Sequence, residues 1–168
     1  MRNKIFRKIF LGLLVIFLLA QFIPRPERNN GTIKTAAYVG NSHQINPEVE
    51  KILQTSCFDC HSNKTTYPWY ASIQPVAWWL GDHITDGKKH LNFSEFGNIP
   101  LARQFHKLEE IHEEVESGEM PNENYTFIHG STKLTPEQQK QVLDWSKAAR
   151  AVMSSKYPSD SLVMKRKK

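Results

Sequence analysis

Cys57-Phe58-Asp59-Cys60-His61 is the stretch on which the reading of the whole chain turns. Two thiols at i and i+3 share one face of a helical turn, and a histidine follows at once. C-x-x-C-H is the attachment pattern of c-type haem. Each thiol can form a thioether with one vinyl group, and the imidazole of His61 is placed to ligate iron from the proximal side. Rival chemistries ask for more than the sequence holds. A zinc site wants a second Cys/His pair at metal spacing, yet these are the only two cysteines. A thioredoxin-like dithiol wants a βαβ context, which is missing. A Cys57–Cys60 disulfide would close only a tiny loop. The expected cofactor is one covalent haem c on Cys57 and Cys60, with His61 on the metal.

Outward from the motif the pattern is helical. Asn46-Pro47-Glu48 starts a helix in which asparagine caps, proline takes the first position, and Glu48 and Glu50 favour the dipole. Val49, Ile52 and Leu53 give it an apolar face running into Cys57. Pro75 opens a short helix through Trp78, Trp79, Leu80 and Ile84, stopping near Gly87. Leu101, Phe105, Leu108, Ile111 and Val115 keep helical spacing up to Gly118, a C′ glycine. Thr135-Pro136-Glu137-Gln138 is a capping box for a last helix with Val142, Trp145, Ala149 and Val152 inward. No alternating strand, repeat or low-complexity tract is present. The expected fold is all-α, with cytochrome c-like helices and long loops wrapping one haem, preceded by an N-terminal transmembrane helix.

That N-terminal expectation rests on Ile9–Ile23, fifteen residues apolar all round, behind Arg2, Lys4, Arg7 and Lys8. As a helix the run is roughly 22 Å, and it approaches spanning length with Ile5, Phe6 and snorkelling basic side chains. A secretory signal shares this layout, and the two readings stay open. Either way the leading positives stay inside and the rest is exported. The expected organisation is a basic region at 1–8, a signal-anchor or signal peptide at 9–23, a polar linker at 24–45, a haem-binding domain at 46–155 and a basic tail at 156–168. The chain's net charge of +5 sits at its ends: residues 29–164 hold twelve Lys/Arg against sixteen Asp/Glu, a net −4. That excludes a basic nucleic-acid surface.

The second axial ligand decides what the haem does. Met120, in Gly118-Glu119-Met120-Pro121, stands 59 residues after His61 (120 − 61), in a loop where a core methionine is out of place. Met153 belongs to the last helix and Met164 to the tail. The histidine alternatives are His83, His90, His106, His112 and His129, and His83, beside Trp78 and Trp79, is the alternative sixth ligand. His106 and His112 lie on a helix with five glutamates and read as solvated or paired. Tyr67, Trp69, Trp78 and Trp79 crowd the residues after the motif, as an apolar haem wall with donors for propionates or as ordinary aromatic core. The Pro75 carbonyl is a candidate acceptor for His61 Nδ1–H.

The runs Cys57-x-Asp59-Cys60-His61-Ser62-Asn63, Thr66-Tyr67-Pro68-Trp69-Tyr70, Ile73, Pro75-Val76, Trp78-Trp79-Leu80, His83-Ile84, Gly87-Lys88 and Leu91-Asn92-Phe93-Ser94 closely resemble the small haem-binding domain family of bacterial c-type cytochromes. The likeness covers about 46–150, is densest over 57–96 where the family more often has Trp than Phe96, and includes Gly118-Glu119-Met120-Pro121. It implies one covalent haem c, a cytochrome-like helical fold and an envelope location, with redox partners undefined. His83 falls within the family pattern too. The expected function is a membrane-tethered monohaem electron carrier with His61/Met120 ligation and no substrate turnover. The alternative is a haem sensor or peroxidase-like enzyme with a displaceable sixth ligand, for which Arg103 and His106 are the nearby acid–base pair.

Overall fold

The computed structural model describes residues 2–164; Met1 and the basic residues Lys165–Lys168 of the expected tail lie outside the described residues. All named elements among them are helical. Eight α-helices follow in order: α1 (Arg2–Ala20), α2 (Val39–Ser42), α3 (Pro47–Ser56), α4 (Phe58–His61), α5 (Val76–His90), α6 (Leu101–Ser117), α7 (Glu123–Ile128) and α8 (Pro136–Lys156), with 3-10 turns between some of them.

The expected starts and stops hold where local chemistry sets them. Asn46 caps α3 by accepting from Val49 N–H at 2.8 Å. Thr135 and Gln138 form the reciprocal capping box of α8. Gly118 closes α6 with φ of 80°, a left-handed conformation that glycine adopts without strain. The buried stripes of α3 (Val49, Ile52, Leu53), α6 (Leu108, Ile111, Val115) and α8 (Val142, Trp145, Ala149, Met153) meet in one core with Phe58, Phe93 and Phe96. Burial on α8 steps from Ala149 to Met153, leaving Val152 61% exposed. Met153 is therefore the inward residue in place of Val152, because four residues on keeps the same helix face. Helix α5 runs to His90, past the expected stop at Gly87.

Two expectations about the ends are corrected. Within α1 the uninterrupted apolar part is Ile9–Ala20, roughly 18 Å of helix, because the four basic residues occupy its first turns. Among the described residues no helix is long and apolar enough to cross a membrane, so the expected transmembrane helix is not found. The apolar side chains of α1 are nevertheless exposed, Ile9 at 56% and Leu19 at 61% among them. Past its end, Gln21 pairs reciprocally with the backbone of Gln74: Nε2 donates to the carbonyl at 3.1 Å and Oε1 accepts from the N–H at 3.0 Å.

Nor is 24–45 a free spacer. Tyr38, Val39 and His43 are buried. Asn29 donates through Nδ2 to Ser62 O and Thr65 Oγ1, donates its N–H to Tyr67 Oη, and accepts from Lys88 Nζ. Apolar residues among the prolines and asparagines override the linker composition. The stretch after 155 also packs, with Leu162 in the core.

Candidate functional site

Helix α3 ends at Ser56, and Cys57 is the joint between it and α4, with φ of −125°. The change of direction sends Phe58 into the core, 2% exposed, against Phe93 with ring centroids 5.4 Å apart. Apolar burial of Phe58 thus fixes the turn on which Cys57, Cys60 and His61 stand. His61 is held from the other side by the end of α5. Its Nδ1 lies 3.0 Å from Gly87 O and 3.1 Å from Leu91 O. Two carbonyl partners make Nδ1 the protonated nitrogen and leave Nε2 as the lone-pair nitrogen, the tautomer a metal needs.

Gly87 eases that approach. A Cβ there would meet Cys60 O at 3.0 Å and Cys60 Cβ at 3.3 Å. Pro75, the candidate acceptor, instead receives the N–H groups of Trp78 and Trp79 at 3.2 Å each. The correction has a simple cause: α5 extends one turn further than its sequence pattern suggests, and it is the carbonyls of that turn that reach the imidazole.

Two neighbouring cavities, of about 270 and 360 Å³, share Ser56, Cys57, His61, His90, Met120 and Pro121 as walls. The first is closed by Leu53, Phe93, Ile111, Val115 and Val142 from the core. The second adds Cys60, His83, Asp86, Gly87 and Tyr125. A third cavity, of about 550 Å³, continues along α5 from Cys60 past Tyr70, Trp79, Leu80, His83 and Ile84 to His129. The thiols, His61 and Met120 are therefore brought to one connected space, and His83 lies at the junction of its second and third parts.

The aromatic candidates divide. Trp79 lines the third cavity and its ring stacks on His83 at 4.2 Å. Trp78 turns the other way and donates Nε1–H to Pro24 O at 3.2 Å. Tyr67 accepts from Asn29 N–H and lies under the Arg28 guanidinium at 4.9 Å. Trp69 is 79% exposed. Tyr67, Trp69 and Trp78 line none of the three cavities, because they serve the junction with 24–30 or the surface. The histidine alternatives His90 and His129 take their place on the walls, with three residues that sequence reasoning missed: Gly87, Leu91 and Tyr125. Only Gly87 left a signal, as an isolated glycine within a helical pattern.

Burial favours the uncharged forms of the thiols and the imidazole at the site. Burial pushes the Cys57 thiol up to about 12, helped by Cys60, and the Cys60 thiol up to about 11, helped by the Asp59 charge. Both cysteines are free thiols. Burial lowers His61, so its imidazole is neutral and able to coordinate. Among the described residues no group of three or more His, Cys, Asp or Glu side chains could hold a bare metal ion. A metal beside His61 must bring most of its ligands with it, as a porphyrin does. Apolar walls, two unpaired thiols and one oriented imidazole fit a haem.

Comparison with curated proteins and with solved structures returned no match. A family model described as a haem-binding domain matches residues 15–148, a span that contains the thiols, His61, Met120 and the cavity walls. With the donor set and the cavity agreeing with that match, the chain belongs to the haem-binding domain family.

Proposed function

We propose that this protein is a monohaem c-type cytochrome that carries single electrons in the cell envelope. Cys57 and Cys60 would hold the haem as thioethers, and His61 Nε2 and Met120 would ligate its iron. The observation that carries the reading is that Cys57, His61 and Met120 wall the same two cavities. When bound, the haem supplies one-electron iron chemistry, and thioether ligation raises its potential. The chain's own part is positional. Gly87 O and Leu91 O orient the imidazole, the core side chains exclude water from one side, and the segment after α6 presents the methionine.

The carrier is preferred over a peroxidase-like enzyme because the acid–base pair such an enzyme needs is engaged elsewhere. His106 Nε2 lies 3.0 Å from Glu110 and its Nδ1 3.6 Å from Glu109, while Arg103 is exposed. We place the haem domain on the extracytoplasmic side, with the basic and then apolar N-terminal helix as the export segment and a redox partner protein as the electron source or sink.

The test compares the visible spectrum and midpoint potential of the wild type with those of Met120→Ala. The expected outcome is loss of the methionine-ligated spectrum and a lower potential. Unchanged ligation and potential would remove Met120 from the site and leave His83, or His90 on the same cavity wall, as the sixth ligand. Rapid peroxide turnover by the wild type would favour the enzyme.

A further inference from the structure

Asp59 stands between the two cysteines of the C-x-x-C-H motif, and both of its carboxylate oxygens are engaged. Oδ1 accepts from Thr66 N–H at 2.8 Å, and Oδ2 accepts from Tyr125 O–H at 2.8 Å. Tyr125 lies on α7, five residues beyond Met120 (125 − 120). Its ring packs on His129 at 4.7 Å, and His129 Nε2 stands 2.6 Å from Tyr70 Oη, in the 3-10 turn Trp69–Ser72.

Helix α7 has no buried residue, and Phe127 is 88% exposed. Apolar burial, which holds α3, α6 and α8, is thus absent from the element that follows Met120. At the other side of Met120 its N–H donates to Glu114 O at 3.0 Å, at the end of α6. The segment that carries Met120 is suspended between a helix end and a polar tie. One end of that tie is a residue of the motif itself.

We propose that Tyr125 is the positioning residue for the sixth ligand: its hydrogen bond to Asp59 sets how firmly the Met120 segment is held against the haem-attachment turn. The proposal rests on the reading of Met120 as the sixth ligand. A half-buried hydrogen bond to a carboxylate is among the stronger ones a side chain makes. Removing it favours the open segment and leaves the His61 side untouched, where Nδ1 bonds to Gly87 O and Leu91 O.

The test uses the full-length haem-loaded protein and the rate at which carbon monoxide binds the ferrous form, since carbon monoxide enters only when the sixth ligand leaves. Tyr125→Phe keeps the ring and its packing on His129 while deleting the O–H. The expected result is binding about tenfold faster, the change one charge-assisted hydrogen bond supports, together with a lowered midpoint potential. Asp59→Ala should do the same, and the double variant should be no faster than either single one. Met120→Ala should be faster than all three.

Wild-type rates in Tyr125→Phe alongside a fast Met120→Ala would overturn the positioning role and leave the ligand assignment standing. An unchanged rate in Met120→Ala would overturn both. Should Tyr125→Phe fail to retain haem, the Asp59→Ala rate and potential decide the matter by the same criterion.

Discussion

The closeness of α5 to Cys60 makes Gly87→Ala the sharpest single perturbation of the proximal side. The new methyl group would sit 3.0 Å from Cys60 O and 3.3 Å from Cys60 Cβ, where ordinary contact begins at 3.4 Å. Backbone cannot swing aside as a side chain does, so α5 must retreat by a few tenths of an ångström. Two stability effects then oppose each other. Alanine gains about 1 kcal/mol over glycine in a helix interior, while overpacking costs about 1–3 kcal/mol. The net change in unfolding free energy is a loss of at most about 2 kcal/mol. The carbonyls that orient His61 move with the helix, however, and disturbing the hydrogen-bond partners of a ligating histidine weakens metal binding by about 10–100-fold. Urea unfolding of the haem-loaded protein, read beside its midpoint potential and visible spectrum, separates the effects. We expect a small loss of stability with a clear shift in potential. A variant about 1 kcal/mol more stable, with the wild-type potential and spectrum, would refute the tight α5–Cys60 contact and the role given to the Gly87 carbonyl.

Cys57→Ser and Cys60→Ser should each lose one thioether, so that the pyridine haemochrome band moves toward that of a haem with one free vinyl. A two-thioether band in either variant would contradict covalent attachment at that residue. Leu53→Ala opens a void in a fully buried position that walls both the core and the first cavity, and should cost about 2–5 kcal/mol by urea titration. A loss below about 1 kcal/mol would mean that the site collapses. His43 is buried beside Phe96 with Nε2 3.3 Å from Gln104 Oε1, and burial lowers its pKa. The unfolded chain therefore binds a proton that the folded chain refuses. Stability is unaffected above about pH 6.5 and falls as pH drops below it, by no more than about 1.4 kcal/mol per pH unit from this group. His43→Phe in the haem-loaded protein should flatten that slope; an unchanged slope would assign it to other groups.

Much of the frame is readable from residues whose effect is local. Asn46, Thr135 and Gly118 act within their own helix ends, and the stripes of α3, α6 and α8 follow from period alone. The thiols and His61 are legible because C-x-x-C-H is a short-range pattern. What escaped is set by long-range geometry. The partners of His61 lie 26 and 30 residues away, at the far end of a helix whose length its sequence pattern understates. Tyr67 and Trp78 read as haem walls because aromatic residues near the motif carry no sign of direction. Their polar atoms in fact bond to Asn29 and Pro24, in a segment whose prolines and asparagines resemble a linker. Tyr125 left no trace in period or motif, since a single tyrosine hydroxyl aimed at Asp59 is visible only once α7 is placed.

The two faces of the site differ in what holds them, and the difference predicts how each one moves. On the proximal side, Phe58 is 2% exposed and Leu53 fully buried, so releasing His61 means breaking the core. On the Met120 side, that residue is 38% exposed and α7 buries nothing, so the segment 118–129 can detach by giving up a few polar ties. Local opening draws on the least buried elements first and costs less than global unfolding. Native-state hydrogen exchange should therefore find the α7 amides of Thr126 and His129, which bond to Asn122 O and Tyr125 O, opening at lower free energy than the amides of α3 and α6. Equal protection across α6 and α7 would show that the bound haem itself, by covering this segment, supplies the burial that the polypeptide lacks.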